Sequence, residues 1–184
     1  MASGKRIGKK SQASNDFLEP LAPTGVTGTD VGTGRAFNNG AVSVAFSLPA
    51  LSPAATSYTV TASTGQTATG ASSPIIVTGI ASTATPTFTV TATNAAGTSA
   101  ASSASAAVTV TTVPATMSAP TATAGVNQDT LSWTAPTNGG SAIIDYTWSS
   151  SDGKSGTVSG TSATITQEAN TAQTYTVTAR NANG

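Results

Sequence analysis

The chain has 184 residues, of which only 8% are charged, and its formal net charge is zero. It contains no cysteine and no histidine, which excludes disulfide bonds and removes the commonest general base and the commonest transition-metal ligand. This length suits one or two domains, and its alternating runs of β-branched residues predict an all-β fold.

Residues 1–19 form a basic, polar amino-terminal arm that contains four of the seven basic residues, namely Lys5, Arg6, Lys9 and Lys10. No apolar run of signal-peptide length follows them, and no stretch approaches the roughly 20 apolar residues of a membrane span. Two interpretations are equally open. The arm is a disordered terminus, or it is an anchor that folds onto a partner, with Phe17 and Leu18 as apolar contacts.

Residues 20–112 are predicted to form a first β domain. The predicted strands begin at Ala22 and cover residues 41–46, 58–62, 74–77, 87–92 and 106–110. Thr64-Gly65 reads as a hairpin turn, and Thr111 to Ser118 as a short linker that limits bending between domains.

An eleven-residue phrase marks a duplication. Residues 87–97 recur at 174–184, an offset of 87 (174 minus 87), with eight of eleven positions identical. Each copy alternates in hydrophobicity as a half-buried strand does and ends at Asn and Gly, which suit a tight turn. A repeat of this length fits a whole small β domain, so residues 113–184 are predicted to form a second domain.

The two repeats differ in one loop. The first has about ten extra residues around positions 29–40, including Arg35, Phe37 and the hairpin signal Asn39-Gly40. This stretch is either a longer hairpin that covers a sheet edge or a contact loop, because Arg beside an aromatic residue suits an interface.

The two repeats also differ at their ends. The second repeat stops one strand short of the first, so we expect either that a partner supplies the strand or that the chain is the front part of a longer repeat protein.

The phrase Tyr-x-Val-x-Ala-x-Asn-x-x-Gly at 175–184 resembles the F strand of fibronectin type III domains, and Trp133 stands where that family keeps its B-strand tryptophan. The resemblance covers nearly everything after residue 20. It implies two tandem fibronectin type III/immunoglobulin-like β-sandwiches, the second lacking its last strand, and a tyrosine corner in which the Tyr175 hydroxyl bonds to nearby backbone. The Ala/Ser/Thr-rich style also resembles the modules that tailed-bacteriophage virion proteins carry.

No catalytic, cofactor-binding or metal-binding residue is predicted. The seven carboxylates form no recognisable acid/base pair or calcium loop. Asp152 is explained by its turn with Gly153. Beyond the arm the chain carries three basic and five acidic residues, a balance of minus two, so we expect no specific nucleic-acid binding and no membrane insertion.

These features, with the resemblance, predict a non-enzymatic bacteriophage structural protein, assembled in the host cytoplasm as a head, neck or tail decoration or fibre. Lys5, Arg6, Lys9, Lys10, Phe17 and Leu18 would anchor it on other virion proteins, with Arg35 and Phe37 at a neighbour. We expect many copies per particle or a homo-oligomer, and contact with host surface glycans. Two alternatives stay open: a fragment of a bacterial cell-surface protein whose fibronectin-like domains bind polysaccharide, and a carbohydrate-binding accessory domain of an enzyme.

Overall fold

The computed structural model describes residues 18–166 and 172–184, and within them every regular element is a β-strand. The first six strands are β1 Thr24–Asp30, β2 Gly40–Ser47, β3 Ser57–Ala62, β4 Thr67–Gly70, β5 Ile75–Ile80 and β6 Phe88–Thr93. The second six are β7 Thr121–Gly125, β8 Gln128–Ser132, β9 Asp145–Ser150, β10 Ser155–Val158, β11 Ser162–Thr166 and β12 Tyr175–Arg180.

The strands form two sandwiches with the same topology. In the first, an antiparallel sheet of order β1-β2-β5 packs on one of order β4-β3-β6. In the second, the orders are β7-β8-β11 and β10-β9-β12, which match strand for strand after the shift of six. The predicted all-β fold of two tandem fibronectin type III/immunoglobulin-like sandwiches is therefore confirmed.

Alternation along the strands builds each core. Val42, Val44, Val60, Val77 and Val90 are fully buried between the sheets of the first sandwich, because every second residue of a strand points to the same face. Among the described residues, thirteen buried apolar side chains lie in the first sandwich and five in the second. The second core therefore has fewer buried apolar side chains than the first.

An aromatic pair recurs at matching positions of the two cores. The rings of Phe46 and Tyr58 lie 4.8 Å apart in the first sandwich, and those of Trp133 and Tyr146 lie 5.6 Å apart in the second. Tilted aromatic pairs at this spacing stabilise a fold by more than the burial of their apolar area alone would. Trp133 follows Phe46 by 87 residues (133 minus 46) and Tyr146 follows Tyr58 by 88 (146 minus 58), so the two pairs occupy the same place in their sandwiches.

The predicted strand over residues 106–110 is wrong. Residues 98–106 instead run along the outer edge of β6 with a period of three, at which Ser99, Ser102 and Ser105 are buried, and Val108 and Val110 then donate to Pro86 and Ala84 before β6. A three-residue period is that of polyproline II, which makes no internal hydrogen bonds. We call Thr98–Ala106 the serine ladder.

The turn in the long β1–β2 loop also differs from the prediction. Gly40 is the first residue of β2, and the positive φ angles fall at Gly34 (68°) and Asn38 (59°). Two successive turns close the loop, with the Arg35 N–H donating to the Gly32 carbonyl and the Asn39 N–H to the Ala36 carbonyl. Asn39-Gly40 therefore lies at the end of the loop, but it does not form the hairpin turn that the sequence predicted.

Candidate functional site

A hydrogen-bonded junction joins the two sandwiches through the segment Thr111–Val113. The Thr112 N–H donates to the Gly139 carbonyl of the second sandwich at 2.8 Å, and the Val113 N–H donates to the Arg35 carbonyl of the first at 3.0 Å. Thr112 is fully buried. One end of the first sandwich and one end of the second therefore bond to the same three residues.

Asn181 ties this segment to the second sandwich. Its Nδ2 donates to the Thr112 carbonyl at 2.8 Å and to the Asn138 carbonyl at 2.7 Å, while its Oδ1 accepts from the Asn183 N–H at 2.8 Å. The side chain is only 1% exposed. A buried amide with its donors and its acceptor satisfied fixes the groups around it.

Asn183 reaches across to the first sandwich. Its Nδ2 donates to the Thr111 hydroxyl at 3.0 Å, and its carbonyl accepts from the Gly34 N–H at 2.7 Å. The carboxylate of Asp30 accepts from the hydroxyl and the N–H of Thr111. The β1–β2 loop of the first sandwich is thereby bonded to the β12 end of the second.

Glycine permits the close approach of the two sandwiches. Gly139 has φ +68°, and a Cβ placed there would lie 2.5 Å from the carbonyl oxygens of both Thr112 and Val113. Any larger residue would collide with this backbone.

The long β1–β2 loop contributes backbone rather than side chains to the junction. The Arg35 guanidinium bonds within its own loop, to the carbonyl and the side chain of Asn39, while its carbonyl bonds to Val113. Phe37 is half-buried. The ten extra residues thus place Gly34 and Arg35 at the second sandwich, whereas a role for the Arg35 and Phe37 side chains at a neighbouring molecule stays a prediction.

The amino-terminal end of the first sandwich repeats part of this arrangement. Asn94, the counterpart of Asn181, donates through Nδ2 to the Leu18 carbonyl at 2.8 Å and to the Ala54 carbonyl at 3.3 Å. The Leu18 carbonyl therefore accepts from Asn94 in the same way as the Thr112 carbonyl accepts from Asn181. Three leucines at this end are exposed: Leu18 by 60%, Leu21 by 49% and Leu51 by 87%. We call these three leucines the amino-terminal pole.

The other predicted anchor residues, Lys5, Arg6, Lys9, Lys10 and Phe17, lie outside the described residues. Leu18 lies within them and is exposed.

Carboxylates of the described chain hold neighbouring groups in place. The Tyr175 hydroxyl donates to Asp129, a carboxylate of β8, at 2.5 Å, and the tyrosine corner with nearby backbone stays a prediction. Asp129 and Tyr175 occupy the positions of Val42 and Phe88, 87 residues earlier (129 minus 42, 175 minus 88). An apolar contact in one repeat is thus a polar pair in the other.

Two ion pairs involve the remaining carboxylates of β9 and its turn. Arg180 pairs with Asp145, and hydrogen bonding to that carboxylate raises the pKa of Arg180 above its usual value. Hydrogen bonding to Ser150, followed by Lys154, lowers the pKa of Asp152. Gly153 has φ +87° and donates to the Ser150 carbonyl, which confirms the predicted turn. These exposed pairs organise a turn and a strand end.

Across residues 18–166 and 172–184, no cluster of three or more potential metal-binding acidic, Cys or His residues occurs. In the same residues no helix has the length and apolar character needed to cross a membrane.

No protein-family model and no curated protein matches the sequence. Solved structures do resemble the fold. The FN1-FN3 domains of chicken CNTN1 are 18% identical with a TM-score of 0.42, over 91% of this chain and 63% of that one. A two-domain fibronectin type III segment of chicken tenascin is 17% identical with a TM-score of 0.35, over 79% and 83%. Titin kinase with its flanking domains is 24% identical with a TM-score of 0.40, over 50% of this chain and 17% of that chain.

Sequence reasoning did not identify Asn181 and Asn183 as junction residues, because Asn and Gly at the end of a strand read simply as a turn. One signal was available: Asn occupies the same position in both copies of the phrase, at 94 and 181. A turn alone would accept Gly or Asp there, whereas two donors and one acceptor at once require an amide.

Proposed function

We propose that this chain is a non-enzymatic structural protein in which two sandwiches are held in one relative orientation, so that it acts as a spacer of defined length. The observation that carries the proposal is the bonding of Asn181 and Asn183 to the segment between the sandwiches. In a flexible tether the polar side chains would be hydrated by water, whereas Asn181 is buried and all its polar side-chain atoms are hydrogen-bonded within the protein.

The energetics support a fixed junction. Thr112 and Asn181 are essentially inaccessible to water, so bending would leave their polar groups unpaired or newly hydrated. Each bond contributes about 1 kcal/mol net, and an orphaned buried group costs about 1–3 kcal/mol. A few such bonds broken together make the bent state rare, because every 1.4 kcal/mol is about a factor of ten in population.

We further propose that this spacer belongs to a bacteriophage particle and that the amino-terminal arm docks it there. The basic residues of the arm and its Phe17 and Leu18 supply the charge and the apolar contacts in this proposal. The amino-terminal pole would extend the same contact, since Leu21 and Leu51 present further exposed apolar surface at the end of the first sandwich where Leu18 lies. Exposed apolar patches commonly mark interaction sites.

Photo-crosslinking in purified particles tests this proposal. A photoreactive amino acid at Leu51, which is 87% exposed, is expected to capture a particle protein. The matched control is Val126, which is 91% exposed in the β7–β8 turn of the second sandwich and is expected to capture none. Absence of the chain from purified particles, or equal capture from both positions, would contradict docking by the amino-terminal pole. Binding of the isolated chain to polysaccharide would favour the bacterial-surface alternative.

A further inference from the structure

A tight turn of the second sandwich begins at Asn138, beside the junction. Gly139 and Gly140 both have positive φ angles, of 68° and 87°. The Asn138 carbonyl accepts from Asn181 Nδ2, and the Gly139 carbonyl accepts from the Thr112 N–H. The peptide link between residues 138 and 139 therefore lies between two of the hydrogen bonds that hold the junction.

The side chain of Asn138 is held over this peptide link. Asn138 is exposed, and its Oδ1 accepts from the Gly140 N–H at 3.0 Å. This bond closes an Asx turn, which folds the side-chain carbonyl over the intervening Gly139 amide. The donor also polarises the carbonyl and stabilises negative charge that develops on Oδ1. Cγ of Asn138 is thus an activated electrophile next to the Gly139 nitrogen.

The Gly139 nitrogen is free to react with that carbon. Within residues 18–166 and 172–184, no group accepts a hydrogen bond from the Gly139 N–H. Glycine has no side chain to obstruct an approaching carbonyl. A nucleophile held beside its electrophile reacts far faster than the same groups do when they meet by chance.

We propose that Asn138-Gly139 is a site of spontaneous covalent modification that opens the junction irreversibly. The proposal rests on the fixed spacer described above. The Gly139 nitrogen gives up its proton and attacks Cγ of Asn138, so that an N–Cγ bond forms. The Cγ–Nδ2 bond then breaks, and the amide nitrogen takes a proton and leaves as ammonia. Water opens the resulting cyclic succinimide at either carbonyl, which leaves aspartate or isoaspartate at position 138.

Isoaspartate alters the main chain at the junction. The chain then runs through Cβ and Cγ of residue 138, which adds one methylene group before Gly139 and turns the carbonyl that Asn181 contacts into a free carboxylate. The added length cannot be taken up locally, because a Cβ at Gly139 would already lie 2.5 Å from the carbonyl oxygens of Thr112 and Val113. The bonds from Asn181 and Thr112 therefore break together.

The sequence contains two other Asn-Gly pairs, and Asn39-Gly40 is the matched comparison. The Arg35 guanidinium donates to both the main-chain and the side-chain carbonyl of Asn39, which holds the side chain toward its own carbonyl and away from the next amide. Gly40 is buried and is the first residue of β2, paired with Ile80. We therefore expect this pair to react slowly.

The third pair, Asn183-Gly184, has both reacting groups engaged. Nδ2 of Asn183 donates to the Thr111 hydroxyl and to the Thr112 carbonyl, and the Gly184 N–H donates to the Asn181 carbonyl at 3.3 Å. Of the three pairs, only Asn138-Gly139 combines a side chain folded over the next amide with an unbonded nitrogen.

Ageing the full chain at mildly alkaline pH tests the proposal. Enzymatic methylation of isoaspartyl peptides measures conversion at each Asn-Gly pair, and hydrogen exchange of the Thr112 amide reports on the junction. Isoaspartate should form at least about tenfold faster at Asn138 than at Asn39, because only at Asn138 is the electrophile held over the nucleophile. In the fraction that carries isoaspartate at position 138, protection of the Thr112 amide should fall about tenfold or more.

The variant Asn138→Asp is the control. It keeps the Oδ1 acceptor and the normal main chain, and its ionised carboxylate is a poor electrophile, so the Thr112 amide should stay protected before and after ageing. Equal conversion at Asn138 and Asn39, or isoaspartate at position 138 with Thr112 still protected, would overturn the proposal. Loss of protection in the fresh variant would overturn it too, because charge alone would then open the junction.

Residual dipolar couplings of the fresh natural chain separate a failure of this proposal from a failure of the fixed spacer. Alignment tensors of the two sandwiches that agree before ageing support the spacer, whatever happens at Asn138. Tensors that already differ before ageing would refute the spacer, and with it the opening of the junction by isoaspartate.

Discussion

Replacing Asn181 by alanine is the sharpest perturbation of the junction. The substitution removes two donated bonds, to Thr112 and Asn138, and one accepted bond, from Asn183. At about 1 kcal/mol for each bond, the second sandwich should lose about 3 kcal/mol of unfolding free energy. This loss affects the sandwich with the smaller core, and it is a large fraction of the unfolding free energy that is usual for a small domain.

Asn94→Ala is the matched control, because Asn94 occupies the same place in the first repeat. Its Nδ2 donates to Leu18 and Ala54 and its Oδ1 accepts from the N–H groups of Ala96 and Gly97, and three of these four bonds are exposed, so water can replace the amide. We therefore expect a loss of about 1 kcal/mol, confined to the first sandwich.

Tryptophan fluorescence separates the two effects. Both tryptophans, Trp133 and Trp148, lie in the second sandwich. For a urea slope of about 1 kcal/mol per M, Asn181→Ala should lower the midpoint of the tryptophan transition by about 3 M, and Asn94→Ala should leave it unchanged. A shift for Asn181→Ala no larger than that for Asn94→Ala would refute the account of the junction.

Three further substitutions test other contacts by denaturant unfolding. Ser102→Ala leaves an N–H of β6 without its acceptor and should destabilise the first sandwich by about 1–3 kcal/mol. A loss of unfolding free energy below about 0.5 kcal/mol would show that the ladder does not stabilise the sandwich. Tyr175→Phe should cost about 1.5–3 kcal/mol in the natural chain and much less beside Asp129→Val, a coupling that a double-mutant cycle measures; equal costs in both backgrounds would rule the pair out. Gly139→Ala should be far more destabilising than Gly153→Ala, since a Cβ meets backbone at the first and nothing within 4 Å at the second; similar losses would contradict the close approach.

The sandwich fold follows from local pattern, and so it could be predicted. Val44 and Phe46 alternate with small or polar residues, and Leu131 and Trp133 repeat this alternation 87 positions later, which fixes both the strand type and the duplication. Trp133 lies 87 residues after Phe46, so the correspondence of the two aromatic residues rests on that register alone.

The junction and the serine ladder could not be predicted in the same way, for two physical reasons. The ladder has a period of three, so a search for periods of 2 and 3.6 finds only Val108 and Val110, which follow the ladder, and predicts a strand there. The junction depends on hydrogen bonds between residues about 70 positions apart, such as Asn181 and Thr112, and no local pattern encodes them. Asp129 likewise accepts a hydrogen bond from Tyr175, 46 residues later, so its neighbours in the sequence do not indicate its role.

Residual dipolar couplings of backbone amides test the fixed junction most directly. Alignment tensors fitted separately to the strands of the first and second sandwiches should agree in magnitude and direction. Asn181→Ala should make the two tensors diverge. Tensors that already differ severalfold in magnitude in the natural chain would show independent tumbling and would contradict a spacer of defined geometry.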